Sequence, residues 1–355
     1  MSTTTRSRES KLSLTAGQLP RFTWLALLVL AYAVTAGVLA VGSVMSLGAV
    51  VVIGSLLFLV AIFALSSAVE GRRKAVDRFF RYVFVGFFLL ALAPLVSLVW
   101  QVVSKGMARF DLQYFTYSMR NVIGEGGGAS HAIAGTLIVT GIATLISVPI
   151  GLLTAIFLQE YGGQGRLASS IRFFVDVMTG IPSIVAGLFA YTIFSALFGA
   201  GTRNGFSGAI ALCILMIPTV VRSTEEMLRL VPNELREASY ALGVPKFRTI
   251  LKVVLPTSIA GIITGAVLAV ARIIGETAPL LVTAGLNPSL NTNPFDTQMS
   301  TLPVFVYYQY VTPGIPQEPF YDRAWAGALT LILIVMGLNL FGRLLAWRFA
   351  PKPGR

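Results

Sequence analysis

The sequence predicts an all-α protein, a polytopic membrane helical bundle of about eight transmembrane helices. Three observations carry that prediction. Of the 355 residues, 55% are hydrophobic and only 12% are charged, whereas a soluble globular domain carries about a quarter charged residues. The mean hydropathy is +0.78, and the apolar residues gather in long uncharged runs of the kind that cross a bilayer. The basic residues fall unevenly in the gaps between those runs.

A helix that crosses ~30 Å of hydrocarbon needs about 20 residues. Runs of that order occur at roughly 24–42, 47–68, 80–103, 132–158, 173–198, 208–222, 257–284 and 325–347, the sixth being short. With the N-terminus inside, 21 of the 27 basic residues fall in inside segments and five in outside ones. Arg272 alone is counted on neither side, because it lies deep within the seventh run. That asymmetry is the positive-inside pattern and predicts both termini on the cytoplasmic side. It also accounts for the net charge of +12 without nucleic acid as a partner. A single Cys213 and a single His131 exclude an internal disulfide or a Cys/His metal cluster, and no cofactor is expected.

Residues 1–70 read as an N-terminal tail and an extra transmembrane hairpin, turning near Gly42 to Ser46, and residues 71–355 as the main six-span domain. A cleaved signal peptide over 1–41 is the rival reading; the long apolar stretch and the second span directly behind it argue against it. No charged side chain lies between Trp24 and Val69, so the hairpin offers nothing to guide an ion and is expected to be dispensable for transport. Two outside connections are long. Residues 104–131 hold a flexible glycine turn at 124–128. Residues 285–324 carry six prolines that exclude long helices, and read either as a partner-facing loop or as a solvated connector.

The segment from Arg222 to Pro256, with a loop at 223–256, carries the function. Ser223 or Thr224 can cap a first helix with Glu225 and Glu226 in its first turn. Pro232 breaks it, Asn233 caps a second helix over 234–242, and Gly243 ends that helix. Pro245 opens a third, amphipathic stretch running to Val254. Glu237-Ala238-Ser239, three residues, Gly243, nine residues and then Val253-Val254-Leu255-Pro256 resembles the EAA motif of the permease subunits of bacterial ABC importers. Ser239 and Val253 depart from the common pattern and keep its size class.

Three further strings narrow the resemblance: 181–187 (Ile-Pro-Ser-Ile-Val-Ala-Gly), 218–228, and 271–281 with Arg272, Glu276 and Pro279. Together with 235–243 they are similar to the phosphate-transport permease family PstA over roughly 75–350. The resemblance implies a type I importer in the bacterial plasma membrane. It implies a PstC-like permease as heterodimer partner, two PstB-like ATPase subunits at the 223–256 loop, and a PstS-like phosphate-binding protein outside. Glu237, Ala238, Ser239, Gly243, Leu255 and Pro256 would couple to the ATPase, and Arg222, Arg272 and Glu276 would serve the phosphate path. The chain has no Gly-Lys dipeptide and hence no Walker A loop, so it is not expected to hydrolyse ATP itself.

The residues also support the path directly. An ionisable group within a span is costly unless it faces a cavity or a partner. Arg272 and Glu276, four apart, would share one helix face, and Gly261 and Gly265 would let backbone pack closely beside them. An arginine fork suits a tetrahedral oxyanion. The alternatives are a structural ion pair for Arg272 and Glu276, and ordinary snorkelling at the membrane boundary for Arg222. Competing classes are a secondary transporter or channel, a membrane enzyme, and the same permease type carrying phosphonate, sulfate or molybdate.

Overall fold

The computed structural model describes residues 17, 19–42, 46–163 and 165–349, and every regular element among them is helical. Seven helices are long and apolar enough to cross a membrane, or eight if one sharply bent pair counts as a single span. The turn expected near Gly42 to Ser46 falls partly outside the described residues.

The described residues up to Val99 form one compact unit. Its helices are α1 (Thr23–Val41), α2 (Leu47–Glu70) and the start of α3 (Arg72–Gly106). Ala31, Phe58 and Ile62 make a small core, closed by the ring of Tyr82 edge-on to Phe58. Glu70, the first carboxylate after the apolar hairpin, is held by Arg78 at 2.7 Å, the Ser66 hydroxyl at 2.8 Å and the Leu19 backbone N–H at 2.9 Å. The chain turns at Gly71, whose φ of +88° ends α2, and the carboxylate so enclosed has its hydrogen bonds satisfied locally.

The second unit begins at Trp100. It holds α4 (Leu112–Thr116), α5 (Ser130–Ile156), α6 (Arg166–Thr179), α7 (Ser183–Phe198) and α8 (Gly205–Arg229). It continues with α9 (Asn233–Ala241), α10 (Lys246–Thr249), α11 (Leu255–Ile273), α12 (Ala278–Thr283), α13 (Leu302–Val311) and α14 (Glu318–Phe349). α8 is the central rod, packed against α5, α6, α7, α11 and α12. Small residues line it (Gly208, Ala209, Ala211), which lets those neighbours approach. Leu212, Met216 and Val220 of α8 meet Val139 and Ala143 of α5 and Ala269 and Ile273 of α11 in the main core.

Several expected elements take a different form. The short sixth run, 208–222, is the middle of the 25-residue α8. Ser223 and Thr224 therefore cap nothing: α8 runs straight through them, because the whole stretch has helix-compatible residues and its buried side stays packed. The fifth run, 173–198, is broken at Gly180-Ile181-Pro182, with α6 and α7 inclined at 109°. Proline has no N–H to continue the ladder and restricts the residue before it. The seventh run, 257–284, stops at Ile273 and restarts at Ala278 as α12. Asn233 opens α9, with Pro232 in the capping position. The eighth span begins at Glu318, so Arg323 lies within α14 rather than in a connection. Arg323 is buried and donates to the carbonyls of Gly124 at 2.6 Å and Gly126 at 3.0 Å and to Gln309 Oε1 at 3.0 Å. The glycine turn expected to be flexible is thus pinned to α14.

Candidate functional site

The segment between α8 and α11 is a compact bracket. α9 leaves α8 after Pro232, and Gly243 ends it with φ +74°. A left-handed backbone there is what glycine alone adopts without cost. α10 follows, then a single π turn over Ile250–Val254 carries the chain into α11. Such one-turn π insertions recur at functional positions. Leu235, Ala238, Tyr240, Leu242 and Phe247 are exposed together with Glu234, Glu237, Lys246 and Arg248, so the outward side mixes apolar side chains with charges of both signs. Ser239 points inward, and its hydroxyl bonds Thr249 Oγ1 at 2.8 Å. Leu255 and Pro256 lie beyond the π turn at the head of α11, with Leu255 packed on the inner core.

Arg236 fastens this bracket from behind. Its Nη2 donates to Glu160 Oε1 at 2.8 Å and to the Leu228 carbonyl at 3.0 Å. Its Nη1 donates to the Val231 carbonyl at 2.6 Å and to Asn233 Oδ1 at 3.3 Å. Glu160 belongs to a second π turn, Phe157–Tyr161, that ends α5. The pair is buried, with side-chain exposures of 12% and 5%.

A second charged cluster sits where α6 crosses α8. Arg222 pairs with Asp176 of α6 and, at 3.4 Å, with Glu225 one turn along its own helix. Arg172 of α6 reaches Glu225 at 3.6 Å and donates to the Leu158 carbonyl at 2.8 Å and the Gly163 carbonyl at 3.2 Å. Glu225 is therefore an ion-pair partner and not a carboxylate at a helix start.

The two broken runs meet. A Cβ placed on Gly187 of α7 would lie 2.6 Å from Pro279 Cα of α12, so the two helices touch backbone to backbone. Irregular backbone at membrane depth is tolerated only where protein buries it or a cavity receives it. Arg272 stands at the end of α11, exposed, with Nη1 3.4 Å from Thr219 Oγ1 of α8. Thr219 and Arg222 are one helical turn apart, so α8 brings Arg222 and Arg272 to one stretch of its surface. Gly265 helps, since a Cβ there would lie 2.7 Å from Ser223 Oγ. Glu276 does not join them. It falls in the break after Ile273, half-buried, and no Arg272–Glu276 ion pair forms among the described residues. The shared helix face expected from the four-residue spacing requires an unbroken helix, and the helix ends between them.

Sequence reasoning missed Glu160, Arg172, Asp176, Thr219 and Arg236 as partners. The available signal was positional for Arg236, which lies inside the recognised 235–243 string. Thr219 likewise lies inside the 218–228 string; for Glu160, Arg172 and Asp176 no local pattern marks a contact tens of residues away.

Residues 147–354 match the family of binding-protein-dependent transport system inner membrane components. The chain is 46% identical over 256 residues to a phosphate transport system permease protein PstA 1 of Mycobacterium tuberculosis (strain CDC 1551 / Oshkosh), covering 71% of this chain and 83% of that one. It is 45% identical over 286 residues to a phosphate transport system permease protein PstA of Mycobacterium leprae (strain TN), covering 79% and 91%. Among solved structures, a bacterial alginate ABC transporter in complex with an alginate pentasaccharide-bound periplasmic protein shares the fold with TM-score 0.50 at 14% identity. That match covers 78% of this chain and all of that one.

Proposed function

This chain belongs to the binding-protein-dependent transport system inner membrane components, and within them to the PstA phosphate transport permeases; on that premise we propose how it carries phosphate and what drives it. The chain is a multi-pass transport subunit for inorganic phosphate, and membership favours phosphate over phosphonate, sulfate or molybdate. We place it in the bacterial plasma membrane with both termini cytoplasmic, paired with a PstC-like permease. Two PstB-like ATPase subunits would dock on the bracket of α9 and α10, and a PstS-like binding protein would deliver phosphate from outside. Residues 1–70 would stand apart from the permease domain of 71–355.

The observation that carries the path is the position of Arg272: exposed at the end of α11, beside the break, without a carboxylate in ion-pair range among the described residues and next to Thr219, one turn of α8 from Arg222. Phosphate sheds water to cross, and a fixed positive charge offsets part of that loss. The attraction must stay weak enough for release. Arg222, held by Asp176 and Glu225, would offer the weaker grip, and Arg272 the stronger. Glu276 in the break adds a negative charge that can hasten release.

The test is labelled phosphate uptake into vesicles by the assembled complex. Arg272→Lys should keep part of the uptake. Arg272→Gln should lower it by about two orders of magnitude, as truncation of one desolvated charged contact does, with assembly intact. Restored uptake in Arg272→Gln combined with Glu276→Gln would show that the two residues only balance each other, and would defeat the path.

A further inference from the structure

Between the exposed side of α9 and Arg222 runs a connected series of contacts: ion pairs at both ends, joined through the π turn by an arginine bond to a backbone carbonyl. Arg236 on the inward side of α9 holds Glu160. Glu160 lies in the π turn whose Leu158 carbonyl accepts from Arg172. Arg172 shares Glu225 with Arg222. The first link is the tightest: two donors of one guanidinium converge on Glu160 Oε1, at 2.8 Å and 3.3 Å, in a nearly dry setting. The exposed side of α9 and its pinned side are thus opposite faces of one nine-residue helix. A push on the first must act on the second.

We infer that the Glu160–Arg236 ion pair is a positioning element that transmits movement of α9 to the end of α5 and, through Arg172 and Glu225, sets how firmly Arg222 is held by carboxylates. A π turn suits the receiving end, because one-turn π insertions in α-helices recur at functional positions. Coupling of this kind needs an element with two arrangements that both sites bias. The inference rests on the reading of α9 as the ATPase contact and of Arg222 as a path residue. Neither residue of the pair need touch phosphate.

Glu160→Gln is the discriminating variant. It removes the negative charge that ties the end of α5 to α9, while an amide oxygen can still accept from Arg236 and Arg236 keeps its bonds to the Leu228 and Val231 carbonyls, so the bracket keeps its local closure. In the reconstituted complex, ATP hydrolysis should stay close to wild type while phosphate taken up per ATP falls about tenfold, within the usual range for coupled sites. An unchanged ratio would overturn the linkage. So would a parallel loss of hydrolysis and uptake in an intact complex, which would make Glu160 a support for docking alone. A second measurement uses the wild-type complex and does not depend on the variant assembling. Hydrogen exchange should change on ATP binding over both 233–243 and 157–163; a change confined to 233–243 would sink the proposal. Absence of ATP-dependent uptake in the wild-type complex would instead defeat the transport reading itself.

Discussion

Arg236 and Arg272 carry the same charge in opposite surroundings. Arg236 is enclosed by a carboxylate, two carbonyls and an amide oxygen, and its side chain is only 12% exposed. Arg272 stands exposed at the end of α11 with one long contact to a threonine hydroxyl. The first arrangement uses up the donors of the guanidinium and makes a joint; truncating one partner of such a buried pair is strongly destabilising. The second leaves donors open, which is the condition for binding something that comes and goes. The same contrast separates the bracket of α9 and α10 from the broken spans. The bracket is closed within and exposes both apolar and charged side chains on its outward side, whereas the spans meet backbone to backbone around an interruption in two helices.

The sharpest way to break the comparison is at the contact between the broken spans. Gly187→Ile should cost about 3 kcal/mol through overpacking, since its Cβ would lie 2.6 Å from the Pro279 backbone, which cannot swing aside as a side chain can. The expected outcome is a large fall in folded, monodisperse protein, read by size-exclusion chromatography and thermal unfolding. Normal yield and stability would mean that α7 and α12 are not in contact.

The next effect lies on the bracket and is of another kind. Gly243 has open space around the position of a Cβ, so a side chain there meets strain and not collision. Gly243→Val should cost about 1–2 kcal/mol locally and leave insertion intact. Stimulated ATP hydrolysis in the complex should fall, as it should for Glu237→Lys, which reverses an exposed charge. Wild-type stimulation in both would remove α9 as the site of ATPase contact.

The smallest effect should come from Ser239→Ala. It deletes the hydroxyl bond to Thr249, worth about 1 kcal/mol, while Thr249 Oγ1 keeps a contact with the Pro245 carbonyl at 3.5 Å. Thermal stability should drop slightly and coupling should persist. A loss of coupling as large as that of Gly243→Val would mean that the inward face of α9, and not its outward face, carries the contact.

How far each feature could be read from the residues follows from its range. The number of apolar runs, the all-helical class and the spaced motif at 237–256 are local properties of composition and periodicity. Gly243 was legible because a helix stop followed by proline demands a left-handed residue, and φ at Gly243 is +74°. The interruption at 180–182 holds Gly180 and Pro182, and that at 274–277 holds Gly275 and Glu276 with Pro279 just beyond it. Hydropathy is blind to such interruptions, because a broken helix and a straight one have the same composition. That blindness produced the mistaken Arg272–Glu276 face.

By itself, then, the sequence determined which stretches are apolar, which strings match the permease family and where the backbone needs glycine. Each depends on residues within a few positions of one another. Only the tertiary structure decided that Arg272 faces Thr219 and not Glu276, that Arg236 is tied to Glu160 and that Arg222 shares Glu225 with Arg172. A charge finds its partner by where helices cross, and the crossings here are set by small residues and breaks along α7, α8, α11 and α12. They join residues tens of positions apart, and no local pattern records that distance.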